Sequence, residues 1–309
     1  LQDKSGINTG TMMAKLTVRQ QLRKRLIEGG MIVAPGIYDA YGARMVQQAG
    51  FEAVYMTGNG VSACLLGQPD VGMVDLSLFA AHAHRAAACV EIPLICDADT
   101  GYGNAVNVKH TVREFEAAGV AAIHLEDQVM PKRCGHLPGS RPVVSLAEHA
   151  GKIEAAVAAR RDPDFIIIAR TDAATGLGLD EAIRRGQAYR KAGADVVFVE
   201  LKNSPTILDD LRRVTAESGA PCLVNIDGGG KLGELTVPEI EALGFRIAIF
   251  PGLARNAAGF AISEALGSLK RDGNTRAVRG RMLTMTQYNE ILGLADVEDW
   301  ERRYMQDRQ

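Results

Sequence analysis

The chain is poor in cysteine, with five among 309 residues, at positions 64, 89, 96, 134 and 222. Their odd number, irregular spacing and lack of any C-x-x-C pair exclude a disulfide framework and a thiolate zinc site, leaving reduced thiols. Long apolar runs are missing as well. Stretches such as "FIIIA" and "AGVAAIHL" fall far short of the roughly 20 residues a membrane span needs, and the start of the chain has no basic-then-apolar signal pattern. An excess of charge is also absent, because 35 Lys and Arg nearly balance 37 Asp and Glu, for a formal net charge of -2. That balance removes the electrostatic ground for a nucleic-acid or membrane-surface partner. A soluble, cytoplasmic protein is expected.

With 47% hydrophobic residues, the chain can bury one large α/β core or two small ones. Short β-branched and apolar runs recur: "MIVAPG" at 31, "EAVYMTG" at 52, "PLICDAD" at 93, "AAIHLE" at 121, "FIIIAR" at 165, "DVVFVE" at 195, "PCLVNI" at 221 and "RIAIFP" at 246. Each reads as a buried strand. Stretches with helical spacing lie between them, among them "NVKHTVREFEAAG", "LAEHAGKIEAAVAARR" and "LDEAIRRGQAYRKAG", several closed by an Ala-Gly pair that suits a helix C-terminus. Eight strand-helix units predict an α/β fold of the (β/α)8 TIM-barrel type rather than an open doubly wound sheet. Residues 1–13 are polar and aperiodic and are set apart as a leader or expression scar. Residues 14–274 are expected to form the barrel. Residues 275–309, with apolar faces in "LTMTQYNEILGL" and "VEDWERRYMQ", are expected to form a C-terminal helical extension packed on the barrel or on a neighbouring subunit.

A barrel gathers its functional groups where the C-terminal strand ends meet the following loops. The expected ends are rich in polar residues: Tyr55, Thr57 and Gly58; Asp97 and Asp99; Glu126 and Asp127; Arg170 and Asp172; Glu200; Asn225. Charges drawn together at one mouth are costly to desolvate unless paired with one another, a cation or an anionic substrate. On a regular strand Asp97 and Asp99 face the same side. They read either as a turn element or as carboxylates for a hard divalent cation such as magnesium, with Glu126 and Asp70 as companions. Arg170 reads either as a partner of Asp172 or as a fork for a substrate carboxylate. "TGNG" at 57–60 allows backbone amides to approach a ligand carboxylate. His82 and His84 fall on a helix away from the mouth and read as packing or surface residues.

The connection from Asp127 to Val144 is long for a βα loop and reads as a lid or binding loop. It carries Cys134 among Lys132, Arg133 and His136. A thiol among cations becomes more acidic and chemically useful.

"KRCGH" at 132–136, "DADTGYGN" at 97–104, "HLEDQ" at 124–128 and "ARTDA" at 169–173 together resemble the isocitrate lyase and phosphoenolpyruvate mutase superfamily, over about residues 17–300. Within it the chain is most similar to the branch of 2,3-dimethylmalate and 2-methylisocitrate lyases. The resemblance implies a barrel that binds an oxygenated carboxylate on magnesium, or manganese in its place, and works through an enolate of a 2-oxo acid. It implies that Asp97 and Asp99 hold the metal with Asp70 and Glu126 around it. Thr57, Gly58 and Asn59 are then expected to grip the oxo-acid carboxylate. Arg133, Gly135, Arg170, Glu200 and Asn225 are expected to position substrate, with His136 beside the thiol.

In the lyase branch the loop cysteine is a general acid, so Cys134 is expected to protonate the leaving fragment of a small 2-hydroxy diacid while Tyr55 or a carboxylate accepts the hydroxyl proton. The other product is pyruvate. The resemblance also implies a homotetramer that exchanges its C-terminal helices. One departure stands out: "NIDGGG" places Gly228 where these lyases carry a glutamate. Phosphonomutases with a similar loop, oxaloacetate hydrolases and a non-catalytic binding barrel are the alternatives.

Overall fold

The structure is a computed structural model, and it describes residues 15–305 except 136, 203 and 228. The proposed leader, His136 and the substitution at Gly228 therefore lie outside the described residues. Eight parallel strands close into a barrel in chain order: β1 (Ile32–Ile37), β2 (Val54–Met56), β3 (Leu94–Asp97), β4 (Ala122–Glu126), β5 (Ile166–Thr171), β6 (Val196–Val199), β7 (Cys222–Asn225) and β8 (Ile247–Phe250). Strand β8 pairs back onto β1 with Ile32 opposite Ile247 and Ala34 opposite Ile249, which closes the ring. All eight apolar runs became strands, and the three helical stretches became Ala105–Ala117, Leu146–Ala159 and Leu179–Lys191. Two of these helices end as their sequence implies. Gly119 and Gly193 take φ of 85° and 103° just past the C-cap, a conformation that other residues adopt only at a cost.

Side chains of a strand alternate between its two faces, and here the alternation sorts the core into layers. Ile95, Ala122, Ile166, Ile168, Val196, Phe198, Leu223, Ile247 and Ile249 pack in one cluster with Leu22 and Leu26 of the N-terminal helix Val18–Glu28. This cluster fills the barrel from below. Cys96, Ile123, Leu125, Ile167 and Ala169 belong to a second cluster, in which the strands meet surrounding helices through Val108, Phe115, Ile153 and Tyr189. Counting forward in twos from the inner residues reaches Thr57, Asp97, Glu126, Arg170, Glu200 and Asn225. The apolar pattern that builds the barrel thus also aims its polar ends into the mouth.

Asp127 has the opposite parity and points outward, where it accepts from Thr171 Oγ1 at 2.7 Å, the Asp172 backbone N–H at 2.9 Å, Arg185 Nη1 at 3.0 Å and the Tyr189 hydroxyl at 2.9 Å. It ties β4 and β5 to the helix Leu179–Lys191. His82 is buried, with Nε2 2.6 Å from the Tyr38 carbonyl, and is a packing residue. Among the described residues no helix is long and apolar enough to cross a membrane.

His149 is buried edge-on against the Tyr189 ring, with centroids 4.6 Å apart. Burial, reinforced by Lys152, holds its imidazole down at about 3. Below the ordinary histidine range only the unfolded chain takes up this proton, so stability is complete above about pH 6.5 and falls as the pH drops toward 3. Denaturant titration of His149→Phe beside the wild type should show the acid-side loss reduced by up to ~4 kcal/mol. An unchanged pH profile would contradict it.

Candidate active site

The cavity at the C-terminal mouth is lined by Tyr55, Thr57, Asn59, Asp70, Asp97, Glu126, Lys132, Cys134, Gly135, Arg170, Glu200, Asn225, Asp227, Pro251 and Arg255. Eleven of these were singled out in the sequence. Lys132 was noted there only as a cation beside the thiol, and Asp227, Pro251 and Arg255 were not noted.

The acidic residues do not form one cluster. Strand β3 stops at Asp97, whose Oδ1 accepts the Asp99 backbone N–H at 2.9 Å, and Asp99 turns away with φ of 46°. Lys132 lies between the two other aspartates, with Nζ 2.7 Å from Asp70 Oδ2 and 2.6 Å from Asp99 Oδ1. Among the described residues, no three His, Cys, Asp or Glu side chains converge as a ready-made metal set. Six carboxylates, Asp70, Asp97, Asp99, Glu126, Asp172 and Glu200, are nonetheless at most 5% exposed here, against three buried cations, Lys132, Arg141 and Arg170.

The protonation balance reflects this excess. Burial, with the Asp97 and Asp70 carboxylates, outweighs Lys132 and raises Asp99 to about 7. Burial likewise raises Glu126 and Glu200 despite Arg170. Asp97 goes the other way, since its burial is more than offset by His124, Lys132 and Arg170, which hold it at about 2. Glu126 Oε1 and Asn225 Oδ1 are buried without a hydrogen-bond partner.

Arg170 takes the first of its two expected readings, as a partner of Asp172. It forks onto Asp172 with Nε at 2.8 Å and Nη2 at 3.1 Å, and stands 3.3 Å from Glu126 and 3.8 Å from Glu200. Its guanidinium lies over the Phe198 ring, 5.0 Å from the centroid. Asp172 is shared with Arg141, which replaces Arg133 as the buried arginine of this loop. Arg133 is exposed and outside the cavity lining. Its backbone N–H and C=O are both bonded to the Gln128 side chain, at 3.0 and 3.1 Å, and this pins the main chain. The substrate-binding role expected of Arg133 therefore has no geometric support.

Tyr55 is buried at the floor, its hydroxyl 2.8 Å from His124 Nε2. Burial and Asp97 raise the phenol well above its usual range, while burial lowers His124 to about 4. A neutral phenol and a neutral imidazole thus share this hydrogen bond, and His124 Nδ1 is 3.6 Å from Asp97 Oδ1. His124 stands in the quoted "HLEDQ" stretch, and its inward parity on β4 is the signal that would have found it.

The loop after β4 folds across the mouth. Gln128 and Val143 form an antiparallel bridge, and the Cys134 N–H donates to the Asp70 carbonyl at 3.1 Å. The Cys134 thiol then meets Asn59, whose Nδ2 donates to Sγ at 3.0 Å, and Arg255 Nη1 donates to Asn59 Oδ1 at 2.6 Å. Gly135 lets this loop sit close, because a Cβ there would lie 3.0 Å from Arg141 Nη1 and 3.3 Å from Glu200 Oε1.

The sequence profile of the phosphoenolpyruvate phosphomutase family matches residues 22–269. The chain belongs to the phosphoenolpyruvate mutase/isocitrate lyase superfamily. It is 46% identical to 2,3-dimethylmalate lyase of Eubacterium barkeri over 92% of this chain and 97% of that one. It is also 39% identical to 2-methylisocitrate lyase of Aeropyrum pernix, over 92% and 88%. Two solved structures superpose closely. Oxaloacetate acetylhydrolase in complex with 3,3-difluorooxalacetate gives a TM-score of 0.88 at 38% identity, covering 95% of this chain and 99% of the other. Phosphonopyruvate hydrolase with oxalate and Mg++ gives 0.85 at 35% identity, covering 94% and 100%. With relatives of this kind, the chain is an enzyme of the lyase group in this superfamily.

Gly58 tests the packing of the mouth. A Cβ there would stand 2.5 Å from Asp97 Oδ2, whereas nothing lies within 4 Å of one at Gly151, inside the helix Leu146–Ala159. Gly58→Ala should cost ~1–3 kcal/mol and Gly151→Ala should gain ~0.5–1 kcal/mol, read from denaturant midpoints. Equal effects at both positions would show that Asp97 moves aside without cost.

Proposed function

We propose that the protein is a divalent-cation-dependent carbon-carbon lyase. It would cleave a 2-hydroxy di- or tricarboxylic acid of the 2-alkylmalate or 2-methylisocitrate type to pyruvate and a carboxylic acid. The observation that carries the reading is the placement of the Cys134 thiol, on a loop over the mouth, in one cavity with Tyr55, Arg170 and the buried carboxylates.

A magnesium ion, or manganese, fits the residues present. Among the described residues of the mouth, six buried carboxylates face three buried cations, and Glu126 Oε1 lacks a hydrogen-bond partner. Such a cation takes few protein ligands and leaves positions for water and substrate oxygens. Asp97 and Glu126 would hold it, while Asp70 and Asp99, drawn onto Lys132, would shape the field around it. When bound, it supplies Lewis-acid polarisation of the 2-hydroxyl and the adjoining carboxylate.

The remaining work belongs to the side chains. The N-terminus of the helix Gly58–Leu66 opens onto the cavity at Thr57 and Asn59 and favours the oxo-acid carboxylate through its backbone N–H groups. Arg170, fixed by Asp172 and Phe198, orients the same half of the substrate. As the 2-hydroxyl proton passes to the Tyr55 oxygen, Tyr55 gives its own proton to His124 Nε2, and Asp97 steadies the resulting imidazolium. The electron pair of the breaking carbon-carbon bond stays on the leaving fragment, and Cys134 Sγ–H protonates that carbon. The thiolate and imidazolium then return to their resting forms by a net proton transfer. The loop over the mouth excludes water from the intermediate.

Assembly through the C-terminal helices is part of the same proposal, with a homotetramer as its expected form. Phe260 and Leu266 on Leu253–Asp272, Met285 on Met285–Leu292, and Trp300 on Leu294–Tyr304 are each more than 60% exposed, an apolar surface suited to a second subunit.

Turnover in D2O, followed by NMR, tests the chemistry. The carboxylic acid product should carry one deuterium at the cleaved carbon. Cys134→Ser should lower the rate by ~10²–10⁴-fold while still binding oxalate. Near-normal turnover in that variant would remove Cys134 from the mechanism. Oxalate and acetate from oxaloacetate, without diacid cleavage, would point to hydrolysis instead.

A further inference from the structure

We propose that Arg255 reads the second carboxylate of the substrate, the one on the fragment that Cys134 protonates. This rests on the diacid-lyase reading above. Among the described residues, three cations line the cavity: Lys132, Arg170 and Arg255. Two are committed. Lys132 is within 2.7 Å of both Asp70 and Asp99, and Arg170 faces Asp172, Glu126 and Glu200.

Arg255 is different. Its short bonds go to neutral amide oxygens, from Nη1 to Asn59 Oδ1 at 2.6 Å and from Nε to Asn256 Oδ1 at 3.2 Å. The carboxylate within reach, Asp227, stands 3.9 Å from Nη2, too far for a hydrogen bond, and the Arg255 side chain keeps a quarter of its surface exposed. A guanidinium has five donors in a planar fork. Nη2 is therefore left to pair with an arriving anion.

Its location fits the reaction. Arg255 lies two hydrogen bonds from the thiol, through Asn59 Oδ1 and then Asn59 Nδ2 to Cys134 Sγ at 3.0 Å. The carbon that takes the proton belongs to the fragment carrying the second carboxylate, so that carboxylate falls on the Asn59 and Arg255 side of the cavity. Gly252, at the start of the helix bearing Arg255, permits the arrangement. A Cβ there would lie 2.3 Å from Asp227 Oδ1 and 2.9 Å from Asn256 Nδ2. Arg255 would thus select diacids over 2-hydroxy monoacids, a choice the committed Arg170 cannot make alone.

Calorimetric titration with succinate, the fragment that a 2-methylisocitrate-type substrate releases, and with oxalate, which stands in for the oxo-acid half, tests this in the presence of Mg2+. Wild type, Arg255→Lys and Arg255→Met are compared. Arg255→Met should weaken succinate binding roughly 10- to 100-fold while leaving oxalate within about twofold, with Arg255→Lys in between. Equal losses for both ligands would make Arg255 a prop for Asn59 and overturn the proposal. Unchanged succinate binding in both variants, or no succinate binding by the wild type, would overturn it as well. These titrations need no turnover, so a failure of the lyase reading appears separately, as a lack of cleavage in the product analysis.

Discussion

The burial of more negative than positive charge at one end of a closed barrel is the constraint on which the rest of the structure depends. Six carboxylates at most 5% exposed, against Lys132, Arg141 and Arg170, are tolerable only where each charge has a partner or the set has a ligand. The observed pairings give some of these charges a partner and leave others without a short one. Asp172 is used up by Arg170 and Arg141, and Asp70 and Asp99 by Lys132. Glu126 has a longer contact to Arg170, Glu200 has a longer one still together with the Asn225 amide at 3.4 Å, and Asp97 has Arg170 and Lys132 as neighbours rather than as direct partners. The proposed binding of a cation and of a substrate on it rests on that imbalance.

The barrel was legible because its signal is repeated eight times. Each buried run is β-branched and short, and strand parity then fixes which polar residue at its end points inward. Asp97, Glu126, Arg170, Glu200 and Asn225 follow from that rule alone, and the same rule sends Asp127 outward to Arg185 and Tyr189. His124 was equally available to the rule, but an apolar-looking run hid it. What parity does not reach is the loops. Asp99 lies beyond the end of β3 at φ of 46°, so its carboxylate meets Lys132 through a turn that strand geometry does not describe.

The surroundings of Cys134 show the same limit. The sequence surrounds the thiol with Lys132, Arg133 and His136, which suggests direct activation by neighbouring cations. In the structure Lys132 is held by Asp70 and Asp99, and Arg133 is exposed because Gln128 fixes its backbone. Among the described residues a contact to the sulfur comes from Asn59, 75 residues away, and the cation behind Asn59 is Arg255, 196 residues from it. Nothing local in "KRCGH" announces either one. Closure of the barrel, which sets the β8 loop beside the β2 loop, brings them together.

Cleavage of a diacid at the carboxylate-rich mouth with the help of a divalent cation is the central proposal. The most direct measurement is a lactate-dehydrogenase-coupled pyruvate assay across 2,3-dimethylmalate, 2-methylisocitrate and other 2-alkylmalates, run with magnesium and again with chelator. The account predicts pyruvate from at least one diacid, abolished by chelator and restored by added magnesium. Pyruvate release indifferent to chelator, or none from any diacid at saturating magnesium, would contradict it.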